Sequence, residues 1–319
     1  MLKRTILMMT VLLLLPFGAK AEAASEWNEA VTIYGAALES DENLRNDTAD
    51  LLQTEDSDVV DYVYSEDVSR YLGQTYDNSV LKSSIRIIQH DPGHGLKITV
   101  DETMGEITQI TDETYQNALL TSGITDAEVT IAAATDVTGE SALSGIYKAY
   151  NIQGEDIPEE RTQNAQDELE VISDITQENE NVDGFTDVQL NKMITEVKVE
   201  IINQFNGDVT EEDVRQIVDE KIQENGLEGI LTEDQVNRII VIILNIRDSG
   251  IFTGEEAQRL VDSSRDLVDQ ITSSDAFEDA RAQAEQIGQE IQESGAWQSF
   301  MDALRNFFNS LMNFFRGLF

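Results

Sequence analysis

The sequence predicts an α/β domain, a mixed sheet with packed helices, followed by an all-α helical array. Short β-branched runs alternate with helical patterns between residues 29 and 150, and the β runs disappear after about residue 155. Beyond that point, apolar residues follow three- and four-residue steps behind a series of threonines, which is the period of amphipathic helices. The predicted organisation is a signal peptide (1–23), an α/β domain (26–155), a helical domain (156–294) and an amphipathic C-terminal helix (295–319).

The first residues have the pattern of a secretory signal peptide. Lys3 and Arg4 precede the apolar stretch TILMMTVLLLLPFG, and alanines at positions 19, 21 and 23 give the small-x-small pattern of a cleavage site. The competing interpretation is a membrane anchor, but a spanning helix needs about 20 apolar residues, and this run is shorter. We therefore expect export, and an extracellular or cell-envelope location after cleavage.

The α/β domain is predicted from runs of β-branched residues separated by helical patterns and turn residues. The sequences 81–89 and 95–100 flank HDPGH, whose Pro-Gly predicts the turn of a hairpin between these two strands. Thr111 is a predicted N-cap, and Gly123 is the predicted end of the helix that follows it. The expected strands are 31–35, 59–65, 81–89, 95–100 and 128–135, and the expected helices are 38–52, 66–73, 112–123 and 140–150.

The helical domain is predicted from a recurring helix start. A threonine is followed three residues later by an acid or an amide, which is the pattern of a capping box, at Thr186, Thr210, Thr232 and Thr253. The run IIVIIL (239–244) is apolar on every face, so its helix is predicted to be surrounded by neighbours. Weaker helical patterns at 159–177 and 276–293 flank the set.

Composition excludes several classes of function. The chain has 62 acidic and 21 basic side chains, for a formal net charge of −41. That balance argues against a nucleic-acid partner, because binding to phosphates depends on Lys and Arg. The absence of cysteine excludes thiol catalysis and cysteine-ligated zinc, and two histidines leave little room for histidine chemistry.

The region YQNALLTSGITDAEVTIAAATDVTGESALSGIYKAY (115–150), with RYLG (70–73) and the serine pair at 83–84, resembles a known family. It is similar to a secreted family of Gram-positive bacilli and their relatives, catalogued as domain of unknown function 1002. The resemblance covers roughly residues 29–150 and extends more loosely into the helices from Thr186. The loop departs from the family pattern, with Asp136 in place of the usual proline and Thr138 in place of a serine. The resemblance implies an exported protein of unknown role and supplies no catalytic residues.

Three short motifs have some features of chemical sites, but none has the complete pattern of one. His90 and His94 flank Asp91 in the predicted turn, so a metal site is one interpretation, but a solvated polar turn is favoured. GESAL around Ser141 lacks the last glycine of a nucleophile elbow, and both histidines precede it, so Ser141 is expected to start a helix. The stretch 179–190 partly follows a calcium loop but has Leu190 at the position of the bidentate glutamate, so a helix-entry loop is favoured.

The C-terminal segment is the predicted contact site. It holds seven of the 21 aromatic residues of the chain, yet one acid against two arginines. As a helix, the segment would have one wide apolar face. This face is predicted to bind a membrane surface or a hydrophobic groove, and the groove belongs either to a partner such as another copy of the chain or to the helical array of the same chain. This face comprises Trp297, Phe300, Met301, Leu304, Phe308, Leu311, Met312, Phe315 and Leu318.

These observations together predict an exported, acidic, non-enzymatic protein that acts in cell-surface or extracellular interaction. The C-terminal amphipathic helix is its predicted attachment element, and we expect no catalytic residue, metal, cofactor or specific small-molecule ligand. The alternative is an extracellular hydrolase of cell-wall or other polymer that uses carboxylates. That alternative predicts a deep pocket in which two or more acids with shifted pKa values converge.

Overall fold

The computed structural model describes Trp27 and residues 29–108 and 110–273. The predicted signal peptide (1–23), the predicted helix at 276–293 and the C-terminal segment 295–319 lie outside these residues. The strands are β1 (Val31–Gly35), β2 (Val59–Val63), β3 (Ser84–Gln89), β4 (Leu96–Asp101) and β5 (Ala127–Ala132). The helices are α1 (Glu42–Leu52), α2 (Ser65–Leu72), α3 (Asp112–Ser122), α4 (Glu140–Ile152), α5 (Glu159–Asn179), α6 (Asp187–Phe205), α7 (Glu211–Glu224), α8 (Glu233–Asp248) and α9 (Gly254–Thr272). An α/β region followed by a helical array is thus confirmed.

The sheet has the strand order β2-β1-β3-β5-β4. β1 and β2 pair in parallel and are connected through α1, and β4 and β5 pair in parallel and are connected through α3. β3 lies in the middle and is antiparallel to both β1 and β5. Two β-helix-β units therefore flank one antiparallel strand, as expected where parallel neighbours need a helical crossover.

The predicted hairpin between β3 and β4 is wrong. The two strands run in opposite directions, but β5 lies between them and pairs with both. The loop 90–95 consequently crosses over the beginning of β5 instead of forming a tight turn. This crossing brings residues of β5 next to the loop, with consequences for the site described below.

Helices cover both faces of the sheet. α4 packs across β1 and β3, and a Cβ at Gly145 would lie 3.3 Å from Ile85, so a glycine permits this close approach. A second apolar cluster, which includes Tyr34, Leu38 and Leu52, packs separately from the main core. Every residue of β1 is buried, in agreement with coverage on both sides of the sheet.

The helical array begins with caps that the sequence largely predicted. The hydroxyl of Thr186 accepts a hydrogen bond from the amide of Gln189, and Thr210 and Thr232 form full capping boxes. Thr253 forms no side-chain cap; its hydroxyl donates instead to the carbonyl of Gly250, at 2.9 Å. The capping prediction is therefore wrong at this last threonine.

Polar side chains join the α/β region to the helical array. The Asn117 amide on α3 donates to Asn191 Oδ1 on α6 at 2.9 Å, and the Thr195 hydroxyl donates to Asn117 Oδ1, also at 2.9 Å. All three side chains are buried, and hydrogen bonds satisfy the groups that burial would otherwise penalise. The boundary predicted near residue 155 falls in the connection between α4 and α5, and the division into separate domains stays a prediction.

The apolar helix α8 is buried on most sides. Ile239, Ile240, Ile242 and Ile243 are buried, but the side chain of Val241 is 56% exposed. The prediction that neighbours surround this helix completely is therefore wrong at Val241. Among the described residues, none of the helices combines the length and the hydrophobicity that crossing a bilayer requires.

Candidate functional site

The loop between β3 and β4 carries both histidines of the chain. His90 follows the last residue of β3, and its amide donates to the carbonyl of Asp126 at 3.0 Å. His94 comes two residues before β4. The loop lies above the first residues of β5 because β5 separates the two strands that it connects.

A buried carboxylate fixes the shape of this loop. Asp126 Oδ1 accepts from the amide of Gly93 at 2.7 Å and from the amide of Gly95 at 3.2 Å. Its other oxygen accepts from the hydroxyl of Thr125 at 2.8 Å. Gly93 and Gly95 have φ angles of +94° and +85°, which residues with a Cβ rarely adopt. The Asp126 carboxylate thus holds the loop through two of its backbone amides.

Glu128 joins the two histidines. On β5 it pairs with Ile88 of β3 on one side and with Lys97 of β4 on the other. His94 Nε2 lies 3.2 Å from Glu128 Oε1, and His90 Nε2 lies 3.8 Å from Glu128 Oε2. The two imidazole rings stack with their centroids 3.6 Å apart and an interplanar angle of 15°.

The ligand atoms of His90, His94 and Glu128 all lie within 4.8 Å of one another. Over the described ranges, they are the set of histidine and acidic side chains close enough to share a metal ion. His90 Nε2 is closed off from solvent and has no hydrogen-bond partner among the described residues. A buried polar nitrogen without a partner needs an explanation, and a metal ion would supply one.

Lys97 is the cation next to this cluster. Its Nζ lies 3.2 Å from Glu128 Oε1, the same oxygen that His94 contacts. The hydrogen bond from Lys97 lowers the pKa of Glu128 below its usual range, and the contact with His94 adds to this effect. Glu128 is therefore ionised at neutral pH and can act as a ligand for a cation.

Two of these three residues are predicted from the sequence, which places both histidines in one loop with Asp91 as the neighbouring carboxylate. The structure instead brings in Glu128, which lies 34 residues beyond His94 in the chain. The signal for Glu128 lies in the topology, because it depends on the insertion of β5 between β3 and β4. The expectation that the chain binds no metal stays a prediction.

The other sequence motifs have structural roles in the described residues. Ser141 is the second residue of α4, and its buried hydroxyl donates to the carbonyl of Ser83 at 3.2 Å. It lines a small cavity of about 160 Å³ beside Ser83 and Gly139. At the partial calcium motif, the Asn179 amide donates back to the carbonyl of Ile175 at 2.7 Å, inside the last turn of α5. The favoured interpretations of Ser141 and of this loop agree with these contacts.

Two acids at the start of α3 have shifted pKa values. Burial raises the pKa of Asp112 to about 6, and the neighbouring Glu113 contributes to the shift. Burial also raises the pKa of Glu113. Neither residue lines the cavity beside Ser141 or the two surface grooves described next.

Two grooves cross the helical array. The first, of about 410 Å³, lies between α5 and α8 and has an apolar floor that includes Val171, Val241 and Ile242. Acidic side chains and one arginine surround this floor, namely Asp167, Glu170, Asp174, Asp234 and Arg238. The second groove, of about 340 Å³, lies where α6, α7 and α9 meet and is lined mainly by charged residues.

The predicted contact residues of the C-terminal segment lie outside the described residues. They are Trp297, Phe300, Met301, Leu304, Phe308, Leu311, Met312, Phe315 and Leu318. Their assignment to a membrane or partner surface therefore stays a prediction.

The described residues form an α/β protein with a five-stranded mixed sheet and a helical array, and a histidine–glutamate cluster lies at one end of the sheet. The chain belongs to the family described as protein of unknown function (DUF1002), which matches residues 34–263. The match thus extends through α8 and into α9, well beyond the region where the sequence motifs carry the resemblance.

The chain is also similar to an uncharacterized protein, YpuA, of Bacillus subtilis (strain 168). The two are 28% identical over 275 residues, which cover 83% of this chain and 87% of that protein. No solved structure matches the chain.

Proposed function

We propose that this is an exported protein that acts in cell-surface or extracellular interaction, with residues 295–319 as its attachment segment. The observation that carries this proposal is the aromatic, amphipathic pattern of residues 297–319 in a chain of net charge −41. The segment has a side-chain charge of +1, from Arg305, Arg316 and Asp302, whereas the rest of the chain is strongly acidic. Such a pattern is typical of helices that lie on a membrane surface or in an apolar groove.

The surface of the described residues supports the proposal that a different segment of the chain makes the apolar contact. The described core keeps nearly all of the large apolar side chains inside. The large hydrophobic residues exposed on this surface are scattered over different elements: Val60, Val80, Met104, Ile152, Val182 and Val241. Single exposed apolar residues are normal on a protein surface, so an extended apolar contact is expected from the C-terminal segment instead.

Charge defines how the attachment would work. A strongly acidic protein is repelled by an anionic bilayer, and this repulsion is screened within about 8–10 Å at moderate ionic strength. The attachment energy would then come from apolar burial, at about 25 cal/mol per Å². We therefore expect attachment that persists, or becomes stronger, as salt is added.

The test is co-sedimentation of the protein with liposomes and with cell envelopes, with and without residues 296–319. We expect the intact protein to sediment with one of these fractions at high salt and the truncated protein to remain in the supernatant. A matched pair of substitutions separates the two faces of the segment: Phe308→Ser should weaken sedimentation, whereas Asn309→Ser should leave it unchanged. Equal partitioning of the intact and truncated proteins would contradict the attachment role.

A further inference from the structure

The geometry points to a divalent transition-metal site, of the kind that zinc occupies, formed by His90, His94 and Glu128. This inference goes beyond the proposed attachment function and is independent of the C-terminal segment. It starts from the three ligand atoms within 4.8 Å of one another and from the unpartnered nitrogen of His90.

The ligand set selects the type of ion. Imidazole nitrogens suit zinc, nickel and copper, whereas calcium and magnesium prefer a shell of oxygen ligands. Two histidines and a glutamate are three zinc ligands, which leaves one position of a tetrahedron for water. The site lies close to the surface, with the side chains of His90 and His94 about one-third exposed, although the Nε2 atom of His90 itself is covered.

The distances between the three side chains are compatible with one shared ion. Zinc–ligand bonds of about 2.0–2.1 Å imply tetrahedral edges of about 3.3 Å. The separation of 3.2 Å between His94 Nε2 and Glu128 Oε1, a hydrogen bond in this structure, is also close to such an edge. The separation of 3.8 Å between His90 Nε2 and Glu128 Oε2 is too long for a hydrogen bond, so His90 is left without a direct hydrogen bond to this carboxylate.

The surroundings hold the ligands in place. Asp126 fixes the loop through the amides of Gly93 and Gly95, which flank His94 in the chain. Glu128 lies within β5, paired on both sides. Because both backbone segments are already fixed, little conformational entropy is lost when the ion binds.

Lys97 competes with a metal ion for the carboxylate of Glu128. Its ammonium group occupies one oxygen of Glu128 at 3.2 Å, and an incoming ion would have to displace it or use the other oxygen. Removal of this lysine charge should therefore tighten metal binding, whereas removal of a ligand should weaken it. The two kinds of substitution therefore have opposite expected effects on affinity. Nonspecific damage to the loop is distinguishable from both, because it would weaken metal binding in either case.

The first experiment is a zinc titration of the metal-stripped protein, followed by calorimetry and by the imidazole proton resonances. Only two histidines are present in the chain, so their resonances can be assigned by substitution. We expect saturation at one zinc per chain in the presence of excess calcium, with both histidine signals shifted. Zinc addition that leaves both signals in place would overturn the site.

The second experiment compares matched variants by their zinc dissociation constants. His90→Ala, His94→Ala and Glu128→Gln should each weaken zinc binding by about tenfold or more. This is the smallest expected effect, because the loss of a residue that only supports a metal ligand already costs about tenfold. Asp91→Asn removes the same charge as Glu128→Gln from the neighbouring loop and should change affinity by less than about threefold. If Glu128→Gln and Asp91→Asn weaken zinc binding equally, the ion is attracted by the general negative charge of this surface and not by a defined site, and the proposal is overturned.

A fifth variant is Lys97→Gln, which removes the competing cation. We expect zinc to bind about fivefold more tightly, the effect of one partly exposed ion pair. Weaker binding in this variant would contradict the assignment of Glu128 as a ligand. Thermal unfolding of each variant without zinc provides the control for folding.

Discussion

Lys198 and Glu168 form an ion pair in the centre of the molecule, with 2.6 Å between Nζ and Oε1 and both side chains fully buried. Lys198 Nζ also donates to the carbonyl of Asn117 at 3.2 Å and to the Thr121 hydroxyl at 3.0 Å. The Thr121 hydroxyl in turn donates to Glu168. Helices α3, α5 and α6 therefore meet at one charged pair in the core.

Removal of one partner of this pair should destabilise the protein strongly. Burial lowers the pKa of Lys198, and Glu168 offsets only part of that effect, so the paired charge is already costly to bury. Lys198→Met leaves Glu168 buried without its counter-ion, and the free energy of unfolding should fall by about 3–5 kcal/mol. Chemical denaturation measures this change.

Two further variants of the pair test the explanation. Lys198→Met combined with Glu168→Leu should recover most of the loss, because an apolar pair of similar volume needs no counter-ion. Arg265→Met, which breaks an exposed pair with Asp262 at 3.3 Å, should cost less than about 1 kcal/mol. A double variant as unstable as Lys198→Met alone would show that packing, not charge, dominates here.

Asp112 should make stability depend on pH. Burial raises its pKa to about 6 in the folded protein, against 3.8 as the ordinary value. The folded state therefore binds a proton more tightly than the unfolded state, and this group's contribution to stability increases as pH falls from above 6 towards 4. Asp112→Asn should raise the melting temperature at pH 7.5, and the gain should shrink at pH 5.

The comparison between variant and parent isolates Asp112 from the other acids of the chain. Asp208→Asn, at an exposed position, is the control for the loss of one negative charge. A gain for Asp112→Asn that is equally large at pH 5 and at pH 7.5 would mean that the substitution acts through packing or helix capping.

Local sequence patterns predicted the elements of the fold well. Strands and helices appear close to their expected residues because β-branched runs and three- and four-residue steps are local signals. α3, for example, begins after Thr111, which accepts from the amide of Thr114, and ends at Gly123. The C-cap of this helix has a positive φ angle, as its glycine predicted.

Strand pairing was predicted less well because it depends on residues far apart in the chain. The Pro-Gly turn suggested that β3 and β4 pair directly, but the helix between β4 and β5 provides the crossover for a parallel pair. β4 also has the alternation of an edge strand, with Leu96 and Ile98 buried and Lys97 exposed. A loop of six residues is longer than the two-residue turns most common in hairpins, so these signals together favour an edge position for β4.

The same limit applies to the candidate site. His90 and His94 are close in the sequence, which predicts that they lie together, whereas Glu128 joins them only because β5 lies between β3 and β4. The hydrophobic periodicity of the sequence does not reveal this order of strands in the sheet. The position of Val241 follows the same principle, because the run 239–244 is apolar on every face and only the placement of α5 decides which of its residues faces the groove.

The threonine caps provide a third prediction with an internal control. Thr232 accepts from the Gln235 amide, and Gln235 Oε1 accepts from the Thr232 amide at 2.8 Å. Thr232→Ala removes the hydroxyl half of this box and should lower the free energy of unfolding by about 1 kcal/mol. Thr253→Ala removes a threonine at the same place in the next helix, but one without a side-chain cap, and should cost clearly less. Equal losses, measured by urea denaturation, would contradict the difference between the two caps.

The last prediction concerns Asp126, which fixes the loop that crosses β5. Asp126→Ala leaves the amides of Gly93 and Gly95 without their acceptor. Gly95 is buried, and the loss of an acceptor at a buried site costs about 1–3 kcal/mol, whereas water can replace the acceptor at the exposed Gly93. Asp126→Asn keeps an oxygen in the same place and should retain most of the stability. Amide hydrogen exchange of residues 93 and 95 should become faster in the alanine variant and change little in the asparagine variant.

Because the same carboxylate positions His94, zinc binding should follow the exchange rates. The alanine variant is expected to lose about ten- to a hundredfold in affinity, the usual effect of a lost supporting residue at a metal site. Faster exchange with unchanged zinc affinity would mean that the histidines reach Glu128 without the help of the loop, and that Asp126 contributes to folding alone.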